Sequence, residues 1–280
     1  MIDAHAHLLT HSILKKTGDQ IAFDREKYPE FEKLRSFNRE DICSAWRKAL
    51  NENGIEKVVF MGMSPGNPEF NLIINSLKKM EGFTSVDPTR PGDLELAKKD
   101  IEEAGMKGIK LYPSMLSFSV ADKKAYPLYE YCSKNSLPVL IHFGVTIGPR
   151  ADLRYGNPLD LSPVLSDFPR VPFIIAHFGA GFFREALMLS YKRDNLFFDT
   201  SGTNNWLCYH PGKLSLVDIF KQSIDILGPE KIIFGTDSRL LIDKYRSGIL
   251  NQQRDILNSL LKPEDVDLVM GGNAKQLYKI

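Results

Sequence analysis

Residues 172–179 read PFIIAHFG, and residues 138–144 read PVLIHFG. Each is a short β-branched, apolar run closed by His-Phe-Gly, with no polar alternation along it. A run that is apolar throughout suits a strand covered on both faces, as the strands of a parallel sheet are. The two copies lie one strand–helix unit apart, which predicts that His142 and His177 sit on neighbouring strands at similar height. Whether the chain repeats this unit elsewhere decides the fold.

It does repeat it. Comparable runs occupy 2–7 (IDAHAH), 57–63 (KVVFMGM), 83–87 (FTSVD), 108–112 (GIKLY), 196–200 (LFFDT) and 231–237 (KIIFGTD). Segments of helical period lie between them. PGDLELAKKDIEEAGMKG opens with proline and acids and ends at glycine, and LSLVDIFKQSIDILGPE ends in Gly-Pro, as helix ends prefer. PLYEYCSKN and REALMLSYKRDN show apolar and polar faces at the same spacing. Eight strand–helix units in 280 residues predict a single-domain α/β fold, the (β/α)8 TIM barrel, spanning 1–280. An open doubly wound sheet would carry a glycine-rich nucleotide turn after an early strand, and no G-x-G-x-x-G occurs. Residues 10–37 have no clear period and form an insertion after strand one, read as a lid or substrate wall with Phe23, Tyr28 or Phe31 towards the ligand. The first outer helix is expected over 38–54, and the tail PEDVDLVMGGNAKQLYKI reads as a turn and a closing helix.

Composition narrows the function. The 36 basic and 35 acidic residues nearly cancel, so no charge excess points to nucleic acid or an anionic membrane. Cys43, Cys132 and Cys208 are few, scattered and odd in number, and they read as reduced thiols of a cytoplasmic protein. Neither a membrane span nor a signal-peptide pattern is present. The expected partner is a small-molecule substrate, with a homodimer compatible with the sequence.

The chemistry lies in the histidines. The chain has six, His5, His7, His11, His142, His177 and His210, and four of them end predicted strands. In a barrel those ends form the active face. Asp3, His5 and His7 alternate with small residues, so on a regular strand all three would share one face. Asp237, at the end of strand eight, meets strand one when the barrel closes. Alone it reads as a helix N-cap; beside imidazoles it reads as a metal ligand or a base. A nitrogen-rich site with one carboxylate suits Zn2+, which acidifies a bound water enough to attack an amide, ester or lactone. One histidine must stay free to move protons, and by position it is His177.

These pieces resemble the amidohydrolase superfamily, and within it the amidohydrolase-related branch of aminocarboxymuconate-semialdehyde decarboxylase. The resemblance rests on DAHAH, GIKLYP, LIHFG, NPLDLSPVLSDFPRVPFIIAHFG, FFDTSG, IIFGTDS and GGNAKQLY, in order from end to end. It implies that His5, His7, His142 and Asp237 bind one divalent metal, and that His177 transfers protons beside it. Binuclear relatives bridge two ions with a strand-four carboxylate or carbamylated lysine. Lys110 stands on strand four here; it is read as a polar-layer or substrate-orienting lysine, with carbamylation and a second metal as the sharper alternative. TatD-like nucleases share the first and last motifs but use a strand-four glutamate, so a phosphodiesterase is the weaker reading.

Specificity is expected from the loops after the strands. Arg150, Arg154 and Arg239 could clamp a carboxylate, while Trp206 and His210 could wall a ring. The leading expectation is hydrolysis of a small amide, ester or lactone. Its alternative is metal-dependent non-oxidative decarboxylation of an unsaturated or aromatic acid, and outside enzymology stands a barrel that keeps its metal only for structure or ligand sensing.

Overall fold

The computed structural model describes residues 1–10, 38–146, 148, 150–191 and 193–280. Eight parallel strands follow in chain order: β1 (Ile2–Ala6), β2 (Lys57–Met61), β3 (Met80–Ser85), β4 (Ile109–Leu111), β5 (Val139–Ile141), β6 (Phe173–Ile175), β7 (Leu196–Asp199) and β8 (Ile232–Ile233). The sheet closes on itself at the β1/β8 seam. There Ala4 N–H donates to the Phe234 carbonyl at 3.0 Å, His7 N–H to Ser238 at 2.8 Å, and Asp237 N–H to His5 at 2.7 Å. A parallel bridge pairs Ala6 with Ser238. The expected (β/α)8 barrel is the fold. Residues 11–37, including His11 and the aromatic residues proposed to face a ligand, lie outside the described residues.

Strand alternation sorts side chains into two cores. Ile2, Ala4, Val59, Met61, Phe83, Leu140, Ile174 and Ile233 fill the barrel interior. Ile109, Leu111, Val139, Ile141, Phe173 and Ile175 face outward and pack under the helices. This double coverage is why the strands read as unbroken apolar runs. Lys110 lies between two outward residues and in register with Leu140, so its side chain enters the barrel.

The helices form where the sequence provides their ends. Asn38 caps Arg39–Glu52, its side chain accepting from Glu40 and Asp41 N–H while Asp41 returns the bond to Asn38 N–H. Ser215 and Asp218 build the same box before Leu216–Leu227. Gly105, in the left-handed region, ends Asp93–Ala104. The last helix, Asn273–Tyr278, brings Tyr278 against Phe83 at a ring separation of 4.9 Å and sets Gly271 against Ile2, plugging the N-terminal end of the barrel.

The strands are shorter than the sequence suggests at the end that matters. β5 stops before His142, β6 stops before His177, and β8 stops well before Asp237. His177, Phe178 and Asp237 then adopt φ of 55°, 52° and 58°, the left-handed region that side chains with a Cβ avoid. Such backbone persists only where the surroundings hold it. Gly144 and the turn after β6 hold each other. Val145 N–H donates to the Ala180 carbonyl at 2.9 Å, and a Cβ on Gly144 would stand 2.1 Å from that same oxygen. The paired His-Phe-Gly endings therefore carry two different requirements: histidines at the mouth, and a glycine that lets neighbouring turns touch.

Candidate metal centre

The β1/β8 seam assembles the first three groups. His7 Nε2 lies 3.1 Å from Asp237 Oδ1, and His5 Nε2 lies 4.0 Å from the same oxygen. The donor atoms of His5, His7 and Asp237 all fall within 4.8 Å of one another. Asp237 is held from its other side, where Arg246 Nη1 donates to Oδ2 at 2.9 Å.

Asp3, expected on the same face as His5 and His7, is not part of this group. Its carboxylate accepts from Thr236 N–H at 2.9 Å, the Thr236 hydroxyl at 2.6 Å and the Tyr245 hydroxyl at 3.0 Å. The register of β1 against β2 slips between Asp3 and Ala6. That irregularity breaks strict alternation and turns His5 to the interior while Asp3 ties β1 to the segment after β8.

His5 is fully buried, and its two ring nitrogens have different surroundings. Nδ1 donates to Asp199 Oδ2 at 2.5 Å, which leaves the lone pair on Nε2. That Nε2 is buried with no hydrogen-bond partner among the described residues. Burial lowers the His5 pKa to about 4 against the pull of Asp199, so the ring is neutral at pH 7. For Asp199 burial opposes ionisation, but His5 and Ser201 outweigh it and bring the carboxyl down to about 2. A carboxylate fixing the tautomer of an imidazole whose other nitrogen is bare is the arrangement found behind metal-ligating histidines. A buried, neutral, partnerless nitrogen facing a carboxylate fits a cation.

His142 and His177 stand beside this group: His177 has a donor atom within 4.8 Å of His5 and Asp199, whereas His142 belongs to no such cluster among the described residues. Their rings are 4.8 Å apart, with His177 Nε2 3.1 Å from His142 Nδ1. The far nitrogen of His142, Nε2, donates to the Val145 carbonyl at 3.1 Å. His177 stacks 4.9 Å from His5, and its Nδ1 meets the Ser201 carbonyl at 3.0 Å and the Ser201 hydroxyl at 2.8 Å. Burial pushes the pKa of both rings down, in His142 with help from its neighbour His177 and from Lys110. Backbone room is part of the design, since a Cβ on Gly202 would stand 3.1 Å from His177 Nδ1.

Lys110 is wholly buried, its Nζ without a hydrogen-bond partner among the described residues and 5.1 Å from the centre of the Tyr112 ring. Burial lowers its pKa to about 7, opposed by Asp199 and Asp237.

The substrate residues expected from the loops fare differently. Arg154 is exposed and folds back on Asp152 of its own turn, 2.6 Å away. Arg150 is exposed. Trp206 is buried against Phe183, its Nε1 donating to Asn204 Oδ1 at 3.1 Å, so it is core and not an open aromatic wall. His210 lines an outer groove of about 560 Å³ between the helices Phe183–Leu189 and Leu216–Leu227. Arg239 is half-buried, and its backbone bridges to Lys244.

Three participants escaped the sequence reading: Asp199, Ser201 and Arg246. Asp199 carried a usable signal, because it ends its strand as the histidines end theirs. Arg246 carried none, lying in irregular chain beyond Asp237.

Comparison with known proteins bears on the fold and the family. A TIM-barrel protein from Bordetella bronchiseptica superposes with a TM-score of 0.73 at 20% identity, covering 100% of this chain and 98% of that one. A 5-carboxyvanillate decarboxylase from Sphingomonas paucimobilis gives 0.70 at 15% identity, covering 100% and 99%. An amidohydrolase from Burkholderia multivorans with bound zinc gives 0.69 at 15%, also covering 100% and 99%. At these identities the likeness establishes the fold alone. No curated protein matches the chain. The profile of the Amidohydrolase family matches residues 2–280, from the opening strand through the plugging helix, and the chain belongs to that family as an enzyme of the amidohydrolase type.

Proposed function

We propose that His5, His7, His142 and Asp237 hold one divalent cation, that His177 moves protons beside it, and that the protein hydrolyses a small amide, ester or lactone. The observation that carries the reading is the bare, buried Nε2 of His5 facing the Asp237–His7 pair. Three imidazoles and one carboxylate suit Zn2+, and the Burkholderia relative was solved with bound zinc. Such an ion supplies Lewis acidity that makes water nucleophilic near neutral pH.

The chain's own groups do the rest. Asp199 keeps the His5 lone pair on Nε2, and Arg246 fixes the plane of the Asp237 carboxylate. His177 Nε2, turned towards His142, is placed to take a proton from attacking water and return it to the leaving group. Lys110 offers an unpartnered amine inside the barrel for a polar group of the substrate.

That same amine favours a second reading, non-oxidative decarboxylation, in which Lys110 holds a substrate carboxylate and His177 protonates the carbon. The Sphingomonas relative is described as a decarboxylase. In keeping with free Cys43, Cys132 and Cys208, we place the enzyme in the cytoplasm. No helix among the described residues is long and apolar enough to cross a membrane.

Metal analysis and a substrate panel test the proposal together. His5→Ala should lose most bound metal, whereas His177→Ala should keep it and lose turnover. Equal metal loss from both variants overturns the one-metal assignment. On lactones, esters and aromatic acids, CO2 release without a hydrolysis product replaces hydrolysis by the second reading.

A further inference from the structure

On the outer wall of the barrel, between the helices Phe183–Leu189 and Leu216–Leu227, runs the groove of about 560 Å³ that His210 borders. Its size is that of a small-molecule site, and Phe183, Leu187 and Leu214 give it an apolar lining. Met188 and Ile226 also line it, yet they are 55% and 54% exposed. Covering a side chain of that kind is favourable by ~1.5–3 kcal/mol.

The groove has two unlike ends. All eight strands are parallel, so each helix returns from the C-terminal ends of the strands to the N-terminal ends. The two helices therefore start at the mouth and run the same way down the wall. Arg184 stands in the first turn of one, and Lys213 lies just before Ser215, the N-cap of the other. Both are exposed and line the groove at its mouth end. Leu187, Met188 and Ile226, in the last turns, line the far end. Along the first helix, Arg184 and Met188 are separated by a rise of about 6 Å. No carboxylate joins the lining. Asp218, the acid nearest to Lys213 in sequence, accepts from Ser215 N–H and the Ser215 hydroxyl at 2.8 and 2.7 Å. Asp225 pairs with Lys221 at 2.7 Å. Neither Arg184 nor Lys213 has an ion-pair partner among the described residues.

We propose that this groove binds a straight-chain monocarboxylate of medium length. Its carboxylate lies between Arg184 and Lys213, and its chain runs down the wall to Met188 and Ile226. Charge complementarity selects the head, because a guanidinium fork and an ammonium stand together with no acid to neutralise them. The far end selects the tail, which removes two exposed apolar side chains from water. Phe183 separates the groove from the turn after β6, its ring 6.2 Å from that of Phe178. The site is thus behind the mouth, and the inference holds whichever reaction the mouth performs.

Decanoate, kept below its micellar concentration, tests this on the zinc-loaded full chain. Calorimetry should show one saturable site per chain. In protein labelled at the methionine methyls, the signal lost in Met188→Leu identifies Met188, and in wild type that signal should shift on titration. Excess acetate, which has the head without the chain, should leave the site open while filling any carboxylate site at the metal. The double variant Arg184→Gln/Lys213→Gln should bind decanoate about 10-fold more weakly or worse, as should Ile226→Asp. These positions are exposed, and urea unfolding of the variants should match wild type. Decanoate that binds the double variant as tightly as wild type, or that acetate displaces, occupies another site and overturns the proposal. So does 1-decanol binding as tightly as decanoate, since the head then selects nothing. Absence of saturable binding overturns it as well. Dimers that Ile226→Asp dissolves in sedimentation would then give the groove to a second copy, and capture by phosphatidylglycerol vesicles would give it to a membrane surface.

Discussion

Replacing Lys110 by methionine should stabilise the metal-free protein near neutral pH, and the gain should shrink as pH rises. Methionine keeps the length of the lysine stem and fits the interior lined by Leu140 and its neighbours. The lysine pKa falls from 10.5 to about 7 because burial strips the ammonium of water. Between those values the unfolded chain binds a proton that the folded chain does not. Stability contributed by this group therefore rises with pH across the window. Below pH 7 both states are protonated, and the penalty for burying the charge is constant and complete. Above 10.5 it is relieved. At ~1.4 kcal/mol per pH unit the whole interval is worth about 5 kcal/mol, of which about 3 kcal/mol is recovered by about pH 9.5. Urea unfolding of chelator-treated wild type and Lys110→Met at the two ends of that range measures the gap directly. A gap that does not change with pH would refute the reasoning, because a lysine already paired in the fold titrates near its ordinary value.

Two further substitutions test the supports of the site. Asp199→Asn removes the charge that fixes His5 and should weaken zinc binding about 10- to 100-fold, the usual effect of losing such a partner; competition with a chromophoric chelator reads it, and unchanged affinity would detach Asp199 from the site. Gly144→Ala places a methyl 2.1 Å from the Ala180 carbonyl at a φ of 76°, and should cost more than about 2 kcal/mol in urea unfolding; a variant as stable as wild type would mean that the turns after β5 and β6 are not locked together.

The barrel was legible because parallel strands covered on both faces leave apolar runs that helix-period segments punctuate. All eight runs became strands, and Asn38 capped the first outer helix where expected. His5, His7 and Asp237 were legible for a related reason: barrel closure puts the first strand beside the last. The face assigned to Asp3 was not, since a one-residue slip in β1 depends on how β1 meets β2 and leaves no mark in the local pattern. Strand ends were overdrawn because nothing in HFG or TDS announces that a histidine or an aspartate will take a left-handed φ. Trp206 shows the opposite hazard, a residue whose type suggests a ligand wall but whose indole finds Asn204 and the core instead. Arg246 reaches Asp237 across irregular chain, a contact that only the assembled mouth creates.

The seam between β1 and β8 bears on folding order. All of β2 to β8 lie in the chain between His7 and the carboxylate it faces. Their meeting is therefore a contact of long sequence separation, whose loop-closure cost comes before any reward. A variant that leaves this seam open would keep its strand–helix units and still fail to bring His5, His7 and Asp237 together.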